Sequence, residues 1–151
     1  MKFNESKFKV MHYGRKNTGI EPAYCMYGEP IEEECFEKDS HVVFSNDKKV
    51  SLHCKDSYSK ANRMLGINSR TIRYRHRIVV LNLYKFPVRP HLNYCSSVWN
   101  PYYIKGIELL ERVQHRFTRL FPQLRSLPYN ERLQELSLWS LQERQNRTDI
   151  I

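Results

Sequence analysis

Apolar residues recur at steps of three and four through Ile104, Ile107, Leu110, Val113, Phe117 and Leu120. That spacing predicts one stripe of an amphipathic helix. Glu108, Glu111, Arg112, His115, Arg116 and Arg119 fall elsewhere on the same cylinder. Acids sit in its first turns and bases in its last, the order the helix dipole favours. Phe121-Pro122 should stop the helix, because a residue before proline is pushed out of the α region. The stretch 83–121 that contains this helix is also dense in aromatic residues and carries three prolines.

Upstream the period is different. Phe8, Val10 and His12 alternate with Lys7, Lys9 and Met11, so Phe3–Tyr13 reads as a strand. Gly14–Gly19 is a turn region. Ala23–Tyr27 is a second short strand closed by Gly28-Glu29-Pro30, and Glu32-Glu33-Glu34 reads as a solvated loop. His41–Ser45 is a third strand candidate, followed by a turn at Asn46-Asp47. From about Asp47 the pattern becomes helical, with Leu52, Tyr58, Ala61, Met64 and Leu65 on one face and Gly66 as the expected C-cap. Asn68–Tyr74 reads as a connector or the first turn of a short apolar helix through Ile78, Val79, Leu83 and Tyr84. A break is expected at Phe86, since proline inside a helix costs roughly 3 kcal/mol and Pro87 follows. Beyond Pro122, Tyr129–Leu136 is a short helix with Leu133 and Leu136 inward. Ser140-Leu141-Gln142-Glu143 is a capping box that opens a last helix. That helix has no stop signal and is still apolar at Ile150-Ile151, so it reads as cut short. The whole is α+β: a small N-terminal antiparallel β-sheet followed by a mainly α-helical bundle.

Charge sharpens this picture. Residues 1–59 hold nine Lys/Arg against ten Asp/Glu, and residues 60–151 hold sixteen against six, within a chain of net charge +9. Between Asp56 and Glu108 there is no acid, while Lys60, Arg63, Arg70, Arg73, Arg75, Arg77, Lys85, Arg89 and Lys105 all occur. Such asymmetry is the footprint of a polyanion partner, against the simpler reading of a solvated basic face. If one helix runs through them, Arg70, Arg73 and Arg77 share a face at i, i+3 and i+7, and Lys60 and Arg63 extend the stripe toward successive phosphates.

Other chemistry is thin. Cys25, Cys35, Cys54 and Cys95 are too irregularly spaced for a zinc knuckle or redox pair and read as free thiols. The start, Met1-Lys2-Phe3-Asn4-Glu5, has no apolar h-region, and no run approaches the ~18 residues of a membrane span. These features point to an intracellular protein, cytoplasmic or nuclear. Tyr94, Trp99, Tyr102 and Tyr103 lie beside Leu92, Cys95 and Val98 and read as core, with a base-stacking platform as the alternative. His91 and Cys95 at i, i+4 have no further paired ligands nearby to make a metal site.

One stretch carries a family likeness. The run VRPHLNYCSSVWNPYYIKGIELLERVQHRFTRLFPQLRSLPYNERLQELSLWSLQERQNR, with its V-R-P-H-L-x-Y, V-W-x-P-Y, L-E-x-V-Q, Y-x-E-R-L and L-x-x-R motifs, resembles the segment behind the polymerase core of non-LTR retrotransposon reverse transcriptases of the jockey-like group. The likeness reaches the N-terminus. It implies that residues 1–50 are the β-rich end of the palm and residues 51–151 the helical thumb and following helices, which hold the template–primer duplex. Asn4–Lys16 is similar to the strand after the catalytic aspartates, where Lys7 would match a lysine beside the nucleotide site. Nothing around Lys7 forms that site, so an exposed strand lysine is the favoured reading. Glu37–Ser45 resembles the hairpin that grips the primer end, with Ser40-His41 where the family usually has Leu-Gly.

The family works through paired aspartates that hold two Mg²⁺ ions roughly 3.5–4 Å apart. This chain has only Asp39, Asp47, Asp56 and Asp149, none adjacent to another. The chain is therefore expected not to polymerise DNA alone and to have no cofactor. The activity it would retain is non-specific binding of RNA or an RNA–DNA duplex, through Lys60, Arg63, Arg70, Arg73, Arg77, Arg89, Arg116 and Arg119. Two other readings stand beside it. One is a helical protein-interaction module, with Trp99, Ile107, Leu110 and Phe117 partly uncovered. The other is a decayed gene product, in which Ser40-His41, Pro87 and Gly106 (in place of an acidic helix cap) mark the decay.

Overall fold

The computed structural model describes residues 7–14, 23–72 and 76–148. Fold class is α+β, short strands first and helices after. Contacts divide the chain into two units, Met1–Leu52 and His53–Ile151.

The first unit contains three two-stranded pairings rather than one sheet. β1 (Lys9–Val10) runs parallel to β4 (Glu32–Glu33), with Lys9 opposite Glu32. So Glu32-Glu33, expected in a loop, is a strand. Its acids are held by Lys9, whose ammonium bonds Glu32 and lies 3.5 Å from Glu34. β2 (Cys25–Met26) and β3 (Glu29–Pro30) form a hairpin closed by Tyr27-Gly28, both at positive φ. β5 (Phe36–Asp39) and β6 (Val42–Ser45) form the longest hairpin. Its two-residue turn is Ser40-His41, at φ 46° and 70°. Both central residues of such a turn must be left-handed, which is why Asn-Gly is usual there. Phe3–Tyr13 is a strand only at Lys9–Val10, and the expected turn at 15–19 lies outside the described residues.

The second unit is helical. α1 spans Ser51–Thr71 and buries His53, Cys54, Ser57, Ala61 and Leu65. It passes through Gly66 instead of capping there. Gly66 sits in open space in the middle of the helix. Glycine there costs roughly 0.5–1 kcal/mol relative to alanine, less than the bonds lost by stopping, and Asn68 Nδ2 beyond it bonds the Leu83 carbonyl at 2.9 Å. Leu52, expected on the inner face, is exposed.

α2 spans Arg77–Lys85 and buries Val80 and Tyr84. It ends before Phe86, as Pro87 requires. A turn leads to the single-turn helices α3 (Pro90–Asn93) and α4 (Ser96–Trp99). α5 spans Ile104–Thr118 and supplies Leu110, Val113, Gln114, Phe117 and Thr118 to the interior. Each three-residue step falls roughly 60° short of a full turn, so a stripe built on threes drifts. Ile104 ends up 71% exposed, and the polar Gln114 and Thr118 complete the buried face. Gly106 has a positive reason to be glycine, since a Cβ there would stand 3.0 Å from Pro101 Cβ and 3.5 Å from Cys54 Sγ.

A 3-10 turn at Pro122–Leu124 leads to α6 (Tyr129–Glu135). Ser137, at φ 51°, ends α6. Its amide bonds the Gln134 carbonyl at 3.0 Å and the Leu138 amide bonds that of Leu133 at 2.9 Å, the paired C-terminal closure that normally takes glycine. α7 (Leu141–Thr148) opens on the expected capping box: the Ser140 amide donates to Glu143 Oε2 at 3.1 Å, and the Glu143 amide to Ser140 Oγ at 3.2 Å. The centre of the unit holds Leu65, Tyr84, Leu92, Trp99, Leu110, Phe117, Leu136 and Leu141. Tyr84 stacks on Phe117 at 4.0 Å.

Candidate nucleic-acid interface

The expected cations divide by what each touches. Lys60 on α1 is tied to Asp56 one turn earlier and belongs to the fold. Arg63 and Arg70 are exposed on α1, seven residues apart, so they share the side away from the buried face. Arg73 lies outside the described residues.

The predicted face of Arg70, Arg73 and Arg77 requires one helix, and the structure has two. α1 stops at Thr71 and α2 starts at Arg77. A row of like charges at helical spacing, next to the β-branched Thr71-Ile72, disfavours continuation. Arg77 instead donates from Nη2 to the Glu135 carbonyl at the end of α6. A cation at a helix C-terminus is favourable, so this side chain joins α2 to α6 and leaves the expected stripe.

Arg89 is half-buried, with its pKa lowered chiefly by burial and then by the neighbouring Arg144. Arg116 is exposed on α5 and donates to Asn62 Oδ1 of α1 at 3.3 Å. This contact ties α5 to α1. Arg119 caps α5 and is exposed. Among the described residues, Arg63, Arg70, Arg77, Arg116 and Arg119 form no ion pair with a carboxylate. The described ion pairs are made by lysines instead.

The aromatic residues also separate. Trp99 is 2% exposed and donates its indole N–H to the Tyr94 carbonyl. Tyr94, Tyr102 and Tyr103, read as core, are exposed, and the last two rings lie 4.2 Å apart. They occupy the irregular stretch around α4 and the start of α5. Leu110 and Phe117 are buried with Trp99. Of the patch expected from Trp99, Ile107, Leu110 and Phe117, only Ile107 is half-exposed, because the helices cover the other three themselves.

Sequence reasoning missed a polar network inside the bundle. Glu111, placed on the outer side of α5 by periodicity, receives the Leu141 amide at 3.0 Å and the Tyr129 hydroxyl. Gln114 accepts from Tyr84 Oη at 2.6 Å and donates to the Trp139 carbonyl at 2.8 Å and to Tyr129 Oη at 3.3 Å. Burial raises the Glu111 pKa, against the Tyr129 and backbone hydrogen bonds that lower it. Gln145 Nε2 bonds the Leu92 carbonyl at 3.0 Å. This network holds α5, α6 and α7 together.

The described aspartates are each engaged in other contacts. Asp47 accepts from Ser45 Oγ at 2.6 Å and the Lys49 amide at 3.0 Å, which hold its pKa down to about 2. Asp56 pairs with Lys60 and Asp39 with Ser40. Among the described residues no three His, Cys, Asp or Glu side chains gather as a metal ion would need. No described helix is long and apolar enough to cross a membrane. Lys7 is exposed and outside β1.

No protein-family model, no curated protein and no solved structure matched the chain.

Proposed function

We propose that the chain is a palm-and-thumb piece of a non-LTR, jockey-like reverse transcriptase. By itself it binds RNA or an RNA–DNA duplex without sequence choice and transfers no nucleotide. The observation that carries this reading is the set of exposed arginines on α1 and α5 that stand clear of carboxylates among the described residues. Arg63, Arg70, Arg116 and Arg119 are its contacts, while Lys60, Arg77 and Arg89 serve the fold. The motifs from Val88 to Arg147 support the ancestry. Phosphate contacts give affinity without sequence information, which suits a thumb that must hold any template–primer.

A fluorescence-anisotropy titration of an RNA–DNA duplex at several salt concentrations tests it. Binding should weaken with salt at a log–log slope of about 0.9 per phosphate neutralised. The quadruple change Arg63→Gln, Arg70→Gln, Arg116→Gln and Arg119→Gln should weaken binding to all sequences alike. A flat salt response, or a quadruple variant that binds like the parent, overturns the reading.

A second reading, the helical interaction module, draws on a different surface from the one first expected. Tyr94, Val98, Tyr102, Tyr103 and Ile104 are all exposed around α4 and the start of α5. Exposed apolar residues grouped in this way attract partners. Monomeric sedimentation with no binding of a hydrophobic dye counts against it.

A further inference from the structure

A gathering of positive charge in the helical unit involves three arginines that lie beyond the acid-free span. The last turn of α5 is gripped from two directions. Arg132 of α6 donates from Nη1 to Thr118 Oγ1 at 3.0 Å, and its Nη2 lies 3.4 Å from His115 Nδ1. Arg125 donates from Nε to the Arg119 carbonyl at 3.1 Å. The side chains of Arg119 and Arg125 are themselves exposed. Two guanidinium groups, those of Arg132 and Arg125, thus reach Thr118 and the backbone of Arg119, and among the described residues none of the three arginines pairs with a carboxylate.

Arg132 makes the arrangement unusual. It is only 4% exposed, and its Nε has no hydrogen-bond partner among the described residues. Removing a cation from water without a counter-charge is unfavourable, and the C-terminal dipole of α5 offsets part of that cost. His115 adds no charge of either sign as a neutral ring, its pKa lowered by burial first and then by Arg132 and Arg119. The stacked Tyr129 ring, 3.6 Å from His115, closes the other side. The Arg132 guanidinium also lies over the Tyr129 ring, 5.5 Å from its centroid, and no carboxylate among the described residues pairs with it.

We propose that this end of α5 is a discrete phosphate site, in which Arg119 and Arg125 close on one backbone phosphate against the field of the buried Arg132. The inference rests on the nucleic-acid reading above and singles out one phosphate position within it. Arg119 and Arg125 would touch the anion, and Arg132 would act through the field and by holding the turn.

The test uses the full chain and two probes. In the first arm, thermal unfolding is compared in orthophosphate and in chloride at matched ionic strength. The parent should unfold at a higher temperature in phosphate. The double variant Arg119→Gln/Arg125→Gln should lose that difference, while Arg63→Gln/Arg70→Gln keeps it. Arg119→Gln alone should diminish it, and its side chain makes no described fold contact, so it serves if the double variant is unstable. In the second arm, the RNA–DNA duplex is titrated across salt, and the Arg119/Arg125 variant should lower the salt slope by about 1. Equal phosphate response in the parent and the Arg119 variants overturns the site, even if duplex binding persists. A phosphate response that depends on Arg119 and Arg125, in a chain that binds no duplex, overturns the nucleic-acid reading and leaves a site for a free phosphate.

Discussion

Glu111 gives the sharpest test of how the helical unit is held. Its carboxylate receives the Leu141 amide at the start of α7 and the Tyr129 hydroxyl of α6, so one side chain of α5 ties down two later helices. Glu111→Ala removes both acceptors. A hydrogen bond to a charged group contributes about 1.5–3 kcal/mol, and Tyr129 keeps a partial partner in Gln114, so a loss of about 2–4 kcal/mol is expected. Glu111→Gln keeps one acceptor oxygen and loses the anion at a helix N-terminus, worth about 0.3–1 kcal/mol. It also removes the cost of burying a charge, so its net loss should be about 1 kcal/mol or less.

The two changes are separated further by pH. Burial raises the Glu111 pKa above its ordinary 4.5, so between 4.5 and the raised value the folded state holds more proton than the unfolded chain. Stability from this group therefore falls as pH rises through that window and is constant above it. The deficit of Glu111→Gln should be larger near pH 4 than at pH 7. Urea unfolding of the parent and both variants across pH 4–7 measures this. If Gln costs as much as Ala at pH 7, or if its deficit grows with pH, the account of Glu111 as a buried, doubly bonded carboxylate is wrong.

Other outcomes follow from single positions. Gly66→Ala should stabilise by roughly 0.5–1 kcal/mol, because nothing lies within 4 Å of the added methyl; a loss in Tm would mean the helix does not run through this residue. Ser137→Gly should gain about 1 kcal/mol by relieving a left-handed φ of 51°, read as a higher urea midpoint with unchanged slope. Thiol titration at pH 8 should label the exposed Cys25 and Cys35 quickly. Cys54 should lag by roughly 100-fold or more, since burial pushes its thiol from 9.0 up to about 11 and only the thiolate reacts. Labelling of Cys54 at the rate of Cys25 would show that α1 opens readily.

The features that sequence alone determined are those that neighbouring residues decide. The Ser140–Glu143 cap, the end of α2 before Phe86 and the period of α5 each arise within about one or two turns of backbone, from hydrogen bonds or proline sterics that need no distant partner. The asymmetry of charge was equally open to reading. Tertiary structure alone decided which polar groups face inward. Glu111 meets Leu141 thirty residues on, and Arg77 meets Glu135 fifty-eight residues on. Both were placed on solvent faces or phosphate stripes by periodicity. A helix period specifies only an angle around an axis. Whether that angle points to water or to another helix depends on where the other helices pack, and that is how Arg77 became a tie between α2 and α6 while Arg125 and Arg132 came to the end of α5.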